Sequence, residues 1–338
     1  AEDFELLVDG EAVEQTNFLA AGGAEVVPAE ADAAAESTQD SERPSYLIVY
    51  VDNRGGSPLA RDEALRELGA QLPAFVAGGR HIMLVGHGAS IRIFHGIGDD
   101  PAQLPSHLEE LAGTTAIGSS LAAEETAILT AMDRTSFFVD EEQTINDDNL
   151  IEDLAVNSLQ NEARNLLQAS RNYADNVLQD QRSRLAAFTQ FQSSLAGLPG
   201  NKTLFYIGEG FASRPGEALF RNWEKRYPNL AEENFFSADR EGTRYQIDQE
   251  LDALVSQANA SGVTCYALYT AGAARFSTMS AQSSGSAGSS SDAASLNRRA
   301  SEDSLGYITS TTGGIALFPS GEMATAIARV PTLLEQHY

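Results

Sequence analysis

The chain has 338 residues, enough for one large domain or two modest ones. Its 48 acidic residues outnumber 22 basic ones, and the net charge of −26 disfavours a polyanionic nucleic-acid partner. A hydrophobic content of 42% permits a sizeable core, no apolar run is long enough to span a bilayer, and a single cysteine excludes an internal disulfide framework.

The first elements read as β-structure. Phe4, Leu6 and Val8 alternate, Asp9-Gly10 is a tight-turn signal, and a return strand runs to Phe18. Residues 1–19 are therefore expected to form a β-hairpin, the remnant of an upstream β region. The chain begins at Ala1 with no initiator Met and enters strand-like sequence within a few residues, as expected of a processed or truncated protein. Residues 20–44 are rich in Ala, Glu, Asp and Ser without periodicity and read as a linker.

From residue 45 to 338 the pattern changes to alternating strands and helices. Strands are predicted at 46–52, 81–86, 90–95, 203–208, 263–269 and 315–318. Helices are predicted at 58–76, 101–112, 217–226, 244–260 and 321–335. Only "HGA" separates the second and third strands of this series, so they form a hairpin, while the other links carry helices and make parallel crossovers. The fold class is α/β, a doubly wound, mostly parallel sheet with one antiparallel edge strand. Cys265, within "GVTCYALYT", is a small core residue on a buried strand.

Residues 119–197 form a helical insertion, and 119–196 contain neither Gly nor Pro. Leu159, Leu166, Tyr173 and Val177 fall near three-and-four spacing, predicting an amphipathic helix over about 148–196. At 1.5 Å per residue it is roughly 70 Å long, and its apolar seam needs a cover. The stretch 120–134 folding back is one candidate and a protein partner is the other, which makes Leu159, Leu166, Tyr173 and Val177 candidate interaction residues. Residues 277–301 are Ser/Gly/Ala-rich and read as a flexible surface loop.

In open α/β sheets ligands bind beyond the carboxyl ends of strands. Loops 52–57, 113–120 and 208–214 qualify, carrying Asp52, Arg54, Ser57, Thr114, Thr115, Ser119 and Glu209. His81, His87 and His95 lie on or beside the hairpin at no familiar metal spacing and read as ordinary strand or turn histidines, and His107 and His337 offer less. "GHGAS" and "GEGFAS" lack the central Ser of a nucleophile elbow, and "GGS" lacks the Lys of a phosphate loop. The acidic runs 30–42 and 140–153 lack EF-hand spacing and read as solvated charge or a docking surface for a basic partner.

Several stretches together resemble a known family. These are "DFELLVDGEAVEQTNF", "VYVDN", "LAGLPGNKTLFYIGEGF", "LVSQANASGVTCYALYT" and "LGYITSTTGGIALF". Their order resembles the von Willebrand factor type A domain, most closely its divergent bacterial "VWFA-related" (acidobacterial-type) branch. The resemblance covers most of the chain and implies a metal-ion-dependent adhesion site. In that site an Asp-x-Ser-x-Ser loop, a Thr and a final Asp hold a divalent cation. Carried over, Asp52 matches the first Asp, Arg54 and Gly56 stand at the two Ser positions, Thr115 matches the Thr, and Glu209 replaces the last Asp. Arg cannot ligate a cation. Arg54 is therefore expected to pair with Asp52 or Glu209 and replace the metal, leaving no cofactor. The alternative is a weak Mg or Ca ion held by Asp52, Ser57, Ser119, Thr115 and Glu209.

These readings imply a non-catalytic, exported interaction or scaffold module with a degenerate metal site, periplasmic, cell-surface or extracellular. It would belong to a larger assembly with protein partners, without nucleic acid and without a transmembrane segment. The alternatives are a metal-dependent adhesion receptor for an acidic partner and an enzyme, for which no nucleophile–base pair is visible in the sequence.

Overall fold

The computed structural model describes residues 6–8, 11–13, 44–54, 58–76, 79–114, 119–142, 149–271, 289–319 and 323–335. The chain divides into two compact units, one running Arg43–Ile327 and the other combining Ala1–Glu42 with Ala328–Tyr338. In the second unit, strands β1 (Leu6–Val8) and β2 (Glu11–Val13) pair antiparallel, Leu6 against Val13.

The larger unit is built on a six-stranded sheet. Its strands are β3 (Ser45–Asp52), β4 (His81–His87), β5 (Ile91–His95), β6 (Asn201–Gly208), β7 (Val263–Tyr269) and β8 (Ala316–Leu317), in the order β5-β4-β3-β6-β7-β8. All pairings are parallel except β4–β5, which is antiparallel. This is the α/β, mostly parallel sheet with one antiparallel edge strand expected from the sequence. The strand order reverses between β3 and β6, so the crevice beyond their carboxyl ends is the switch point of the sheet. Every residue of β3 from Tyr46 to Asp52 is buried, the signature of a central strand covered on both faces.

Helices cover both faces. On one side lie α1 (Pro58–Val76) and α2 (Leu104–Ala112), with Phe75 stacked on Phe205 of β6. The other side carries α3 (Ser119–Glu142), α4 (Asn149–Ser194), α5 (Glu217–Arg226), α6 (Pro228–Glu233), α7 (Ala238–Gly242) and α8 (Asp248–Ala260). A helix α9 (Ser289–Thr311) packs on β7 and is followed by α10 (Met323–Ala328), whereas α11 (Val330–Glu335) belongs to the second unit. Strand alternation sends Tyr50 and Tyr206 toward α4, where Tyr50 stacks on Phe188 at 4.5 Å between centroids.

Two expectations are corrected. The Ser-rich stretch 277–301 is not all loop, because from Ser289 onward it is helical. Helix α9 continues beyond that stretch, and its buried members Leu305, Ile308 and Thr309 keep three-and-four spacing on one face. The remainder, 277–288, lies outside the described residues.

The second correction concerns the seam of α4. This helix has 46 residues, about 69 Å, and among the described side chains, from Leu159 onward, its apolar stripe packs on its own chain. Leu166 and Tyr173 are buried core, Val177 packs against that core, and Leu159 is half-buried. α3 folds back on α4 and α8 covers it further along, so these four residues are not a free interaction surface. Trp223 of α5 donates its indole N–H to the carbonyl of Ala163, fixing α4 at 2.7 Å.

Candidate functional site

Asp52 ends β3 at the switch point and is 3% exposed, so its charge must be met inside the protein. Arg184 of α4 meets it: Nε donates to Asp52 Oδ2 at 3.1 Å, and Nη2 donates to the same oxygen. Tyr206 of β6 donates its hydroxyl to Oδ2 at 2.9 Å, and the backbone N–H of Arg54 donates to Oδ1 at 3.0 Å. Nη2 of Arg184 also donates to the Gly210 carbonyl at 3.1 Å, and the guanidinium lies over the Phe211 ring at 4.8 Å.

A second ion pair closes the mouth of the site. Arg54 Nη2 reaches Asp180 Oδ1 at 2.5 Å, one helical turn before Arg184, and its Nη1 donates to Ser183 at 3.5 Å. The side chain that neutralises Asp52 is therefore Arg184, and Arg54 is the clamp that ties the β3 loop to the same helix. Its position explains the difference: Arg54 leaves the strand pointing at the solvent edge, whereas α4 delivers Arg184 from above into the crevice. The two arginines and two aspartates balance, so the network carries no net charge.

The field of this network fixes its neighbours. Burial pushes the Asp52 carboxyl up, but the charge and hydrogen bonds of Arg184, with the Arg54 N–H, outweigh it and hold the carboxyl below its ordinary value. Burial and the Asp52 charge raise the Tyr206 hydroxyl well above the ordinary tyrosine range, so it remains a donor. Tyr50 hydrogen-bonds His87 Nδ1 at 2.7 Å, and burial lowers the His87 pKa, keeping that imidazole neutral at pH 7.

The second expected loop is anchored beside the first. Arg61 donates to Asn53 Oδ1 at 3.1 Å and to the carbonyls of Thr114 and Ala112 at 2.9 and 3.1 Å, while Asn53 Nδ2 donates to Thr114 Oγ1 at 3.2 Å. Thr115 and Ser57 lie outside the described residues, and the side chain of Ser119 does as well. Glu209 follows Gly208 at the end of β6 and is half-buried. Gly208 packs closely on Asp52, since a Cβ there would come within 3.0 Å of the Asp52 Cβ.

A divalent cation held through Asp52 does not fit this arrangement. Both carboxylate oxygens already accept from protein donors, and the guanidinium of Arg184 places a positive charge beside them. The sequence carried a signal for Arg184: it stands eleven residues after Tyr173, seven after Val177, four before Phe188 and seven before Phe191, in phase with the buried seam. A cation in phase with an apolar stripe needs a buried anion.

No protein-family model matches the chain, and no curated protein matches it significantly. Among solved structures, the chain is similar to the crystal structure of an aerotolerance-related membrane protein from Bacteroides fragilis NCTC 9343 carrying multiple mutations to serine. The likeness has 10% identity, covers 87% of this chain and all of that one, and has a TM-score of 0.36. At that level it extends to neither family nor activity.

Proposed function

We infer that this protein is a non-catalytic interaction module in which the ligand position of a von Willebrand type A-like sheet has been converted into a structural ion pair. One observation carries this reading: the only strand-end carboxylate buried at the β3/β6 switch point among the described residues is already neutralised by the chain's own Arg184. A module whose crevice is plugged from within must present its partner with another part of its surface. Phe235 is the most exposed large apolar side chain among the described residues, at 83%, and it sits at φ 49°. That left-handed conformation costs an L-residue roughly 1–2 kcal/mol, so the exposed aromatic sits there at a cost in both strain and solvation.

The family resemblance and the acidic composition support a cell-envelope or extracellular location within a larger assembly. No helix among the described residues is long and apolar enough to cross a membrane.

The test is affinity capture from cell-envelope and secreted fractions, with and without EDTA, using wild type, Phe235→Gly and Asp52→Asn. A partner retained in EDTA and weakened by Phe235→Gly supports the reading. Capture abolished by EDTA and by Asp52→Asn, with stoichiometric Mg²⁺ or Ca²⁺ uptake by the wild type, would replace it with a metal-dependent adhesion receptor.

A further inference from the structure

A second group of polar side chains lies away from the switch point, at the antiparallel edge of the sheet. His95 is the last residue of β5 and is 2% exposed. Its position is fixed by pairing with Leu84 of β4. His107 projects from α2, and the two rings stand 5.3 Å apart between centroids with Nδ1 facing Nδ1 at 3.1 Å. The connecting turn supplies Asp99, whose Oδ2 is oriented by the Gly96 N–H at 2.6 Å while its other oxygen remains available. One ligand atom from each of His95, Asp99 and His107 falls within 4.8 Å of the others. Asp100 is excluded from this set by its own task, because its Oδ1 caps the following turn through the Ala102 N–H.

We propose that His95, Asp99 and His107 form a binding site for a divalent transition-metal ion. Two nitrogen ligands at about 2.0–2.1 Å around a tetrahedral ion are roughly 3.3 Å apart, close to the separation between these imidazole nitrogens. The donor set is two imidazoles and one carboxylate, which selects Zn²⁺, Co²⁺, Ni²⁺ or Cu²⁺ over the oxygen-seeking Mg²⁺ and Ca²⁺. His95 is the buried, strand-fixed ligand. Asp99 is exposed and His107 half-exposed, so the ion enters from solvent and keeps a coordination position open to water or to a ligand atom of a partner. The site joins β5, the turn after it and α2, so occupancy staples the edge of the sheet to its covering helix.

The experiment uses the full chain without a polyhistidine tag, stripped with chelator and dialysed. Zn²⁺ and Co²⁺ are titrated calorimetrically, and the Co²⁺ form is recorded by visible absorption. One equivalent should bind, Co²⁺ should give ligand-field bands, and thermal unfolding should shift upward on loading. His107→Ala and Asp99→Asn, which alter side chains at the surface, should lose the stoichiometric uptake and the bands while circular dichroism stays native. His81→Ala, at an exposed histidine outside the cluster, should retain both. Absence of saturable uptake by the wild type, or uptake unchanged in His107→Ala, would reduce the cluster to a histidine–histidine hydrogen bond and overturn the proposal.

Discussion

Arg184 and Asp52 are 132 positions apart in sequence, yet both Nε and Nη2 of the arginine converge on one oxygen of the aspartate, with neither side chain more than 6% exposed. A long helical insertion thus reaches the crevice at the carboxyl end of an α/β sheet only to fill it. The pair couples two parts of the chain that fold as separate local elements, and its removal should be felt throughout the larger unit.

Arg184→Met leaves a buried carboxylate without its cation. A loss of about 3–5 kcal/mol is expected, measured by urea unfolding at pH 7. Removing both charges in Asp52→Asn/Arg184→Met should recover a large part of that loss, because no uncompensated charge then remains inside. A single variant within about 0.5 kcal/mol of wild type would show that the pair contributes little.

The same pair sets an acid limit. Asp52 ionises more readily in the folded state than its ordinary value of 3.8, so its contribution to stability is complete above that value. As pH falls below about 4 and through the depressed folded value, the unfolded chain takes up the proton first and the contribution is lost. In Arg184→Met, burial outweighs the remaining hydrogen bonds from the Arg54 N–H and the Tyr206 hydroxyl and the depression is lost, so the deficit relative to wild type should be greatest at pH 7 and shrink toward pH 3. Unfolding free energies across that range check the sign.

Two glycines are held by backbone contact. A Cβ on Gly200, at φ 90°, would lie 2.0 Å from the Pro44 carbonyl oxygen, and one on Gly314 would lie 2.0 Å from that of Cys265. Gly200→Ala and Gly314→Ala should each cost more than about 2 kcal/mol, since backbone must move at a strand end. Gly306, inside α9 with open space around it, is the contrast: Gly306→Ala should stabilise by roughly 0.5–1 kcal/mol. Thermal unfolding of the three variants distinguishes the signs.

Cys265 reports global opening. Burial pushes its thiol up to about 12, against hydrogen bonds from Thr312 and Gln192 that favour the thiolate. At pH 8 the folded protein should resist alkylation by iodoacetamide, with labelling appearing only through the unfolding transition. Rapid stoichiometric labelling of native protein would show that β7 opens locally.

Much of the sheet was legible because its strands have strong, simple signals. The run "YLIVYVD" is apolar on both faces, and it became the central strand β3. The tight link after His87 required an antiparallel hairpin, and β5 is that strand. α9 was missed because serine-rich composition suggests a loop, whereas tertiary packing of Leu305 and Ile308 sustains a helix there. The importance of Asp52 was also readable, since an acid ending an apolar strand beside a reversal of strand order has few other uses.

By itself the sequence determined the α/β class, the strand order of events along the chain, the long helix and the placement of Asp52 at a strand end. Those features follow from local periodicity and from the short links that limit connection. Only the tertiary structure decided which arginine faces Asp52, because Arg54 lies two residues away while Arg184 arrives from a helix whose rotation is set by the packing of Phe188 and Tyr173. The meeting of His95, Asp99 and His107 was decided in the same way, by the angle at which α2 returns over the edge strand, a property of packing that no spacing along the chain encodes.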